Sequence, residues 1–119
     1  MKNVELTPES LNDLEGIKEY LDREYGLTKE KEILKAIMSD IKRLRKYPDT
    51  DIKLFERFGI ETDYKCIYSN KNYIFYRLEG ETVKIIRVLS VKRDFLYVLL
   101  GIRMNTKESE DFWMNKTES

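Results

Sequence analysis

Three arginines, Arg77, Arg87 and Arg93, stand within the most apolar stretch of a 119-residue chain, Asn72 to Leu96. A guanidinium fork matches phosphate and carboxylate oxygens, so such a trio could hold an anion or stabilise charge that develops during phosphoryl chemistry. The same residues could be structural, with Arg77 paired to a neighbour on a sheet and Arg93 holding Asp94 or a helix-end carboxylate. Tyr64, Tyr68, Tyr73 and Tyr76 could stack on bases, although strand tyrosines are more often half-buried packing. The densest basic run, Lys42, Arg43, Arg45 and Lys46, needs no ligand, because cations at a helix C-terminus complement the macrodipole.

The chain contains no histidine. Ser-His and Cys-His pairs, His-rich zinc sites and an imidazole base are therefore excluded, and catalysis would fall to lysine, arginine, tyrosine or carboxylates. A lysine or tyrosine in that role would need a strongly lowered pKa. Cys66 is the single cysteine and reads as strand packing, in keeping with a reducing compartment. No cofactor and no metal are expected.

Formal net charge is zero, with 22 basic and 22 acidic residues, but the charge is unevenly spread. Residues 1–63 carry 12 basic and 15 acidic side chains, residues 64–103 carry 8 and 3, and residues 104–119 carry 2 and 4. The basic excess falls on the arginine-bearing segment and suits an anionic partner. No apolar run approaches the roughly 20 residues of a membrane span, and the N-terminus has no signal-peptide h-region, so a cytoplasmic protein is expected.

The elements that would position these residues are marked by pattern. Thr7 and Pro8 suit the N-cap and first position of a helix whose apolar stripe is Leu11, Leu14, Ile17, Leu21 and Tyr25, closed by Gly26. A second helix opens at Thr28, buries Ile33, Leu34, Ile37, Met38, Ile41 and Leu44, and ends at Tyr47-Pro48. Residues 49–63 read as a mixed loop with a short helical turn near Phe55. "DYKCIYS", "NYIFYRLE" and "TVKIIRVLS" read as strands joined by turns at Asn70-Lys71 and Glu79-Gly80, "VEL" at Val4 to Leu6 could add an edge strand, and Lys92 to Leu100 reads as a short helix. The central hairpin is apolar on both faces, with Ile74, Tyr76, Leu78, Val83, Ile85 and Leu89 on one and Tyr73, Phe75, Ile86 and Val88 on the other. A helical hairpin covers one face and the last helix part of the other, leaving exposed apolar surface for a partner.

In order and spacing, Tyr73-Ile74-Phe75-Tyr76-Arg77, Ile86-Arg87-Val88-Leu89 and Arg93-Asp94 resemble the RelE/ParE superfamily of toxins from bacterial type II toxin–antitoxin pairs, over residues 3–101. The run Arg87 to Asp94 is similar to the ParE pattern Arg-Val-Leu-His-x-x-Arg-Asp, with Ser90 in place of the histidine. The resemblance implies an α+β fold, a helical hairpin packed on a small antiparallel sheet of three to four strands with a short C-terminal helix. It divides the chain into a toxin domain, 1–101, and a C-terminal extension, 102–119, which carries Phe112-Trp113-Met114.

The ParE side implies growth inhibition by poisoning DNA gyrase, neutralised by a cognate antitoxin. Tyr73, Phe75, Arg77, Arg87 and Arg93 are then the candidates for binding target or antitoxin. The RelE side implies a ribosome-dependent mRNA endoribonuclease, for which Lys65, Arg87, Lys92, Arg93 and Tyr97 are the catalytic candidates. That set is incomplete, since Tyr73 occupies the place of a strand arginine. A third reading is a non-toxic binding subunit with the same fold.

Overall fold

A computed structural model describes residues 1–102. The elements run β1 (Asn3–Leu6), α1 (Pro8–Tyr25), α2 (Leu27–Arg43), a 3-10 turn (Phe55–Phe58), β2 (Lys65–Ser69), β3 (Asn72–Glu79), β4 (Thr82–Ser90) and α3 (Phe95–Leu100). The expected extension, including Phe112-Trp113-Met114, lies outside the described residues except for Ile102.

Local chemistry explains the helical hairpin. The Thr7 hydroxyl accepts from the Ser10 amide at 3.0 Å, and Pro8 costs α1 nothing at a position whose amide has no helical partner. Gly26, at φ 85°, closes α1 and opens α2 in one residue, which a side-chain-bearing residue resists. The second helix therefore begins at Leu27, one residue before the expected Thr28, and it ends at Arg43, short of Tyr47. Glu30 is buried in its first turn, where the helix N-terminus favours a carboxylate. Leu11 and Tyr25, expected on the buried stripe of α1, are exposed, and the inward face of the helix runs Ser10, Leu14, Ile17 and Leu21.

The strand order is β1-β4-β3-β2. The β2, β3 and β4 strands form the expected antiparallel meander, while β1 joins β4 in parallel, so the sheet is mixed. Apolar pattern marks β1 as a strand but carries no information on its direction. The β2–β3 turn places both Asn70 (φ 49°) and Lys71 (φ 66°) in the left-handed region, the conformation whose twist fits a two-residue hairpin. The β3–β4 turn is Gly80-Glu81, between the paired Glu79 and Thr82.

One irregularity changes the faces. Phe75 pairs with Arg87 but Tyr76 pairs with Ile85, so Ile86 is an extra residue on β4. The bulge exchanges the two residues beyond it. Val88 joins Ile74, Tyr76, Val83 and Ile85 under the helical hairpin, and Leu89 joins Phe75 and Cys66 on the other face, the reverse of the sequence expectation for both.

The second face is also better covered than expected. The 49–64 segment contributes buried Leu54 and Phe55, and α3 contributes Leu96. That segment is pinned to β2, because the Ile52 amide donates to the Cys66 carbonyl at 2.9 Å and the Cys66 amide donates to Asp51 Oδ1 at 3.0 Å. Phe75, offered by sequence as a partner contact, is 0% exposed, with its ring 5.8 Å from that of Phe55 and 5.6 Å from that of Phe95. It is core, and the exposed apolar sheet face foreseen from its double-sided pattern is absent.

Candidate functional site: a cation-rimmed groove beside the helical hairpin

The three arginines do three different things. Arg87 is clamped to Asp13 of α1, with Nε donating to Oδ2 at 2.7 Å and Nη2 donating to Oδ1 at 2.8 Å. The Val88 amide donates to the same Oδ2 at 2.9 Å. The clamp follows from the strand geometry. β1 ends at Leu6 opposite Ile85, so β4 beyond that rung has no strand partner on one side. Residues of the α1 N-terminal region supply the missing bonds, with the Thr7 hydroxyl donating to the Ile86 carbonyl at 2.9 Å and Asp13 accepting from Val88. The hydrogen bond to Asp13 raises the Arg87 pKa above its ordinary range against the opposing effect of burial. With side chains only 23% and 9% exposed, the pair locks helix to sheet and leaves little of the guanidinium for a ligand.

Arg77 sits near the other end of the hairpin, on the rung with Lys84, six residues along β4 from Ser90 and so about 20 Å away at strand rise. Its Nε and Nη2 donate to Glu79 Oε2 at 2.8 and 2.6 Å, and its guanidinium lies 5.9 Å from the Tyr64 ring centroid. The shared hydrogen bond raises the Arg77 pKa and lowers that of Glu79. Arg93 follows β4, its amide donating to the Ser90 carbonyl at 2.9 Å, and its side chain lines a groove.

That groove, of about 1040 Å³, runs between the helical hairpin and the Ser90 end of the sheet. Its floor is apolar, drawn from Ile17, Leu21, Ile33 and Val88, and the exposed Tyr20 and Tyr25 stand at its mouth with rings 6.5 Å apart edge to face. Lys29, Lys71, Lys92 and Arg93 line it, from the start of α2, the β2–β3 turn and the segment after β4. Lys29 makes an exposed contact with Glu32 at 3.7 Å, and the other three form no ion pair among the described residues. The one carboxylate lining the groove, Asp13, is already neutralised by Arg87. An apolar trough whose rim cations, apart from Lys29, have no ion pair among the described residues is suited to an anionic, amphipathic ligand.

The endoribonuclease set is not brought together. Lys92 and Arg93 share the groove, but Arg87 is engaged by Asp13, and Lys65 starts β2 on the rung with Tyr76, four residues from the turn that borders the groove. Strand alternation puts Lys65 on the face opposite Cys66, toward the helices, whereas Tyr97 belongs to α3, which packs on the other face through Leu96. Tyr73 is half-buried in the aromatic layer of that second face, 5.8 Å from Phe95 and 6.5 Å from Tyr68, ring to ring. Among the described residues, no cluster of three His, Cys, Asp or Glu side chains could hold a metal ion.

Sequence reasoning missed Asp13, Lys29 and Lys71. Asp13 left no distinguishing signal, since Glu15 flanks Leu14 on the other side. Lys29 and Lys71 left none, because they join the site only through the packing of a helix start against a hairpin turn.

A helical hairpin seated on one face of a small mixed sheet, with an open groove at their junction, defines an α+β protein with an accessible cleft among its described residues. The chain belongs to the ParE toxin family: the model for the ParE toxin of the type II toxin–antitoxin system parDE matches residues 4–95. Among solved structures, a chain of the chromosomal ParDE toxin–antitoxin system from P. aeruginosa shares the fold, with a TM-score of 0.62 at 15% identity over 77% of this chain and 98% of that one. Curated proteins give no match.

Proposed function

We propose that this ParE-family toxin inhibits bacterial growth from the cytoplasm by poisoning DNA gyrase, and that a cognate antitoxin neutralises it by laying an acidic, amphipathic segment into the groove beside the helical hairpin. The observation that carries the reading is the groove itself, an apolar floor ringed by Lys29, Lys71, Lys92 and Arg93. An antitoxin segment that orders on binding would bury its apolar side on Ile17, Leu21 and Ile33 and set its carboxylates against the rim, so that contact area supplies affinity and charge supplies orientation. Residues 1–101 would then be the toxin domain and residues 102–119 an extension of it. Gyrase is preferred over ribosome-bound mRNA because the family is ParE, and because the basic and tyrosine groups that RNA cleavage would require are dispersed over two faces of the sheet.

The test is induced expression of the full chain in bacteria, following growth, plasmid supercoiling and transcript integrity in one culture. Arrest with gyrase-linked DNA breaks and intact transcripts is the expected result. Arrest with cleaved transcripts would transfer the reading to an endoribonuclease, and unimpaired growth would leave a binding subunit without toxicity.

A further inference from the structure

The groove has a second fitting occupant encoded in the same chain. Beyond Ile102 the sequence runs RMNTKESEDFWMNKTES, in which Glu108, Glu110 and Asp111 immediately precede Phe112-Trp113-Met114. A short acidic block followed by three large apolar side chains mirrors the groove, where cations stand around an apolar trough. Residues 104–119 carry 4 acidic and 2 basic side chains, opposite in sign to the rim.

Geometry permits the contact. Arg93 lies two residues before α3, and α3, with six residues, is about 9 Å long, so the chain leaves the described residues within roughly 25 Å of the groove. Residues 103–111 can span about 30 Å when extended, enough to bring Phe112 and Trp113 to Tyr20, Ile17 and Ile33. The exposed tyrosines at the mouth, Tyr20 and Tyr25, offer edges and faces to an incoming indole.

We infer that the segment Glu108–Met114 docks into this chain's own groove, its carboxylates on the Lys92–Arg93 and Lys29 rim and Trp113 on the apolar floor, so that the toxin covers its own docking surface until the antitoxin displaces the segment. The regulatory consequence rests on the groove being the antitoxin's seat. The docking itself does not.

Trp113 is the single tryptophan of the chain, so intrinsic fluorescence reports on that side chain alone. The experiment measures emission and acrylamide quenching of the full-length protein, with N-acetyl-tryptophanamide as the fully accessible standard. The wild type is expected to emit to the blue of the standard and to resist quenching. Lys92→Glu/Arg93→Glu, with a far-UV circular dichroism spectrum matching wild type, is expected to expose the indole, each reversed charge weakening the docked state about fivefold, and raised salt to act in the same direction. Arg57→Glu, a charge reversal remote from the groove, should leave the signal unchanged. Three results would overturn the inference: quenching equal to that of the standard, shielding indifferent to the groove charges, or shielding lost on dilution, which would place the segment on a second copy. None of these involves antitoxin or gyrase, so their outcome leaves the growth-inhibition reading to its own test.

Discussion

At the scale of single residues, the two most consequential buried interactions join parts of the chain that are far apart in sequence. The Asp13–Arg87 pair adds an amide, that of Val88, to a bidentate ion pair, so exchanging the carboxylate for an amide removes the charge that faces the guanidinium and one of the two oxygens that serve three donors. Asp13→Asn is expected to cost about 2 kcal/mol in urea unfolding, and the double variant Asp13→Asn/Arg87→Gln clearly less than the sum of its parts. Tyr76 offers a pH-dependent counterpart. Its hydroxyl donates to the carbonyls of Pro48 and Thr50, at 2.8 and 3.2 Å, and burial first, then Asp51, raises its pKa far above the ordinary value of 10.0.

Burial and Asp51 likewise raise the pKa of the Cys66 thiol above its ordinary value of 9.0. Both groups are neutral in folded and unfolded chains below these values, and above them only the unfolded chain gives up the proton. Stability contributed by the neutral forms is therefore intact below pH 9.0 and falls as pH rises, through Cys66 first and Tyr76 from 10.0. Each group adds a slope of at most about 1.4 kcal/mol per pH unit. Stability profiles from pH 8 to 11 should show Tyr76→Phe with a shallower alkaline decline than wild type, after an initial loss of about 1 kcal/mol for the hydrogen bonds.

At the scale of elements, the helices and the antiparallel meander were legible because they rest on local rules: Thr7 and Pro8 start α1, Gly26 joins the helices, and β-branched and aromatic runs bounded by turn residues mark β3 and β4. What sequence could not show is non-local. The bulge at Ile86 falls where β1 has stopped at Leu6 and the Thr7 and Asp13 side chains take over the bonding of β4, and nothing within "KIIRV" announces it. The 49–64 segment lacks periodicity, so its role as the cover of the second sheet face emerges only when Leu54 and Phe55 meet Phe75. The β2–β3 turn provides a test. Lys71 adopts φ 66°, a conformation that costs a side-chain-bearing residue about 1 kcal/mol and glycine almost nothing. After allowance for the greater unfolded-state entropy of glycine, Lys71→Gly should raise stability by about 0.5 kcal/mol in thermal or urea unfolding, while removing one cation from the groove.

At the scale of the whole molecule, zero net charge hides a division of labour. The basic excess of residues 64–103 was visible in the sequence, and Lys71, Lys92 and Arg93 carry part of it to the groove, where Lys29 from the otherwise acidic first half joins them. The pairing of Arg77 with a sheet neighbour was among the roles legible in the sequence, Glu79 lying two residues along the same strand, whereas Arg87 finds in Asp13 a carboxylate that only the folded chain supplies. Family and fold followed from the ordered strand fragments, and the residues that ring the groove followed from packing. The most direct measurement of the proposed activity uses the purified full-length chain with DNA gyrase, ATP and relaxed plasmid. The account predicts that supercoiling stops and cleaved plasmid accumulates in proportion to added protein, with no cleavage when gyrase is left out. Unchanged gyrase turnover in the presence of excess folded protein would contradict it.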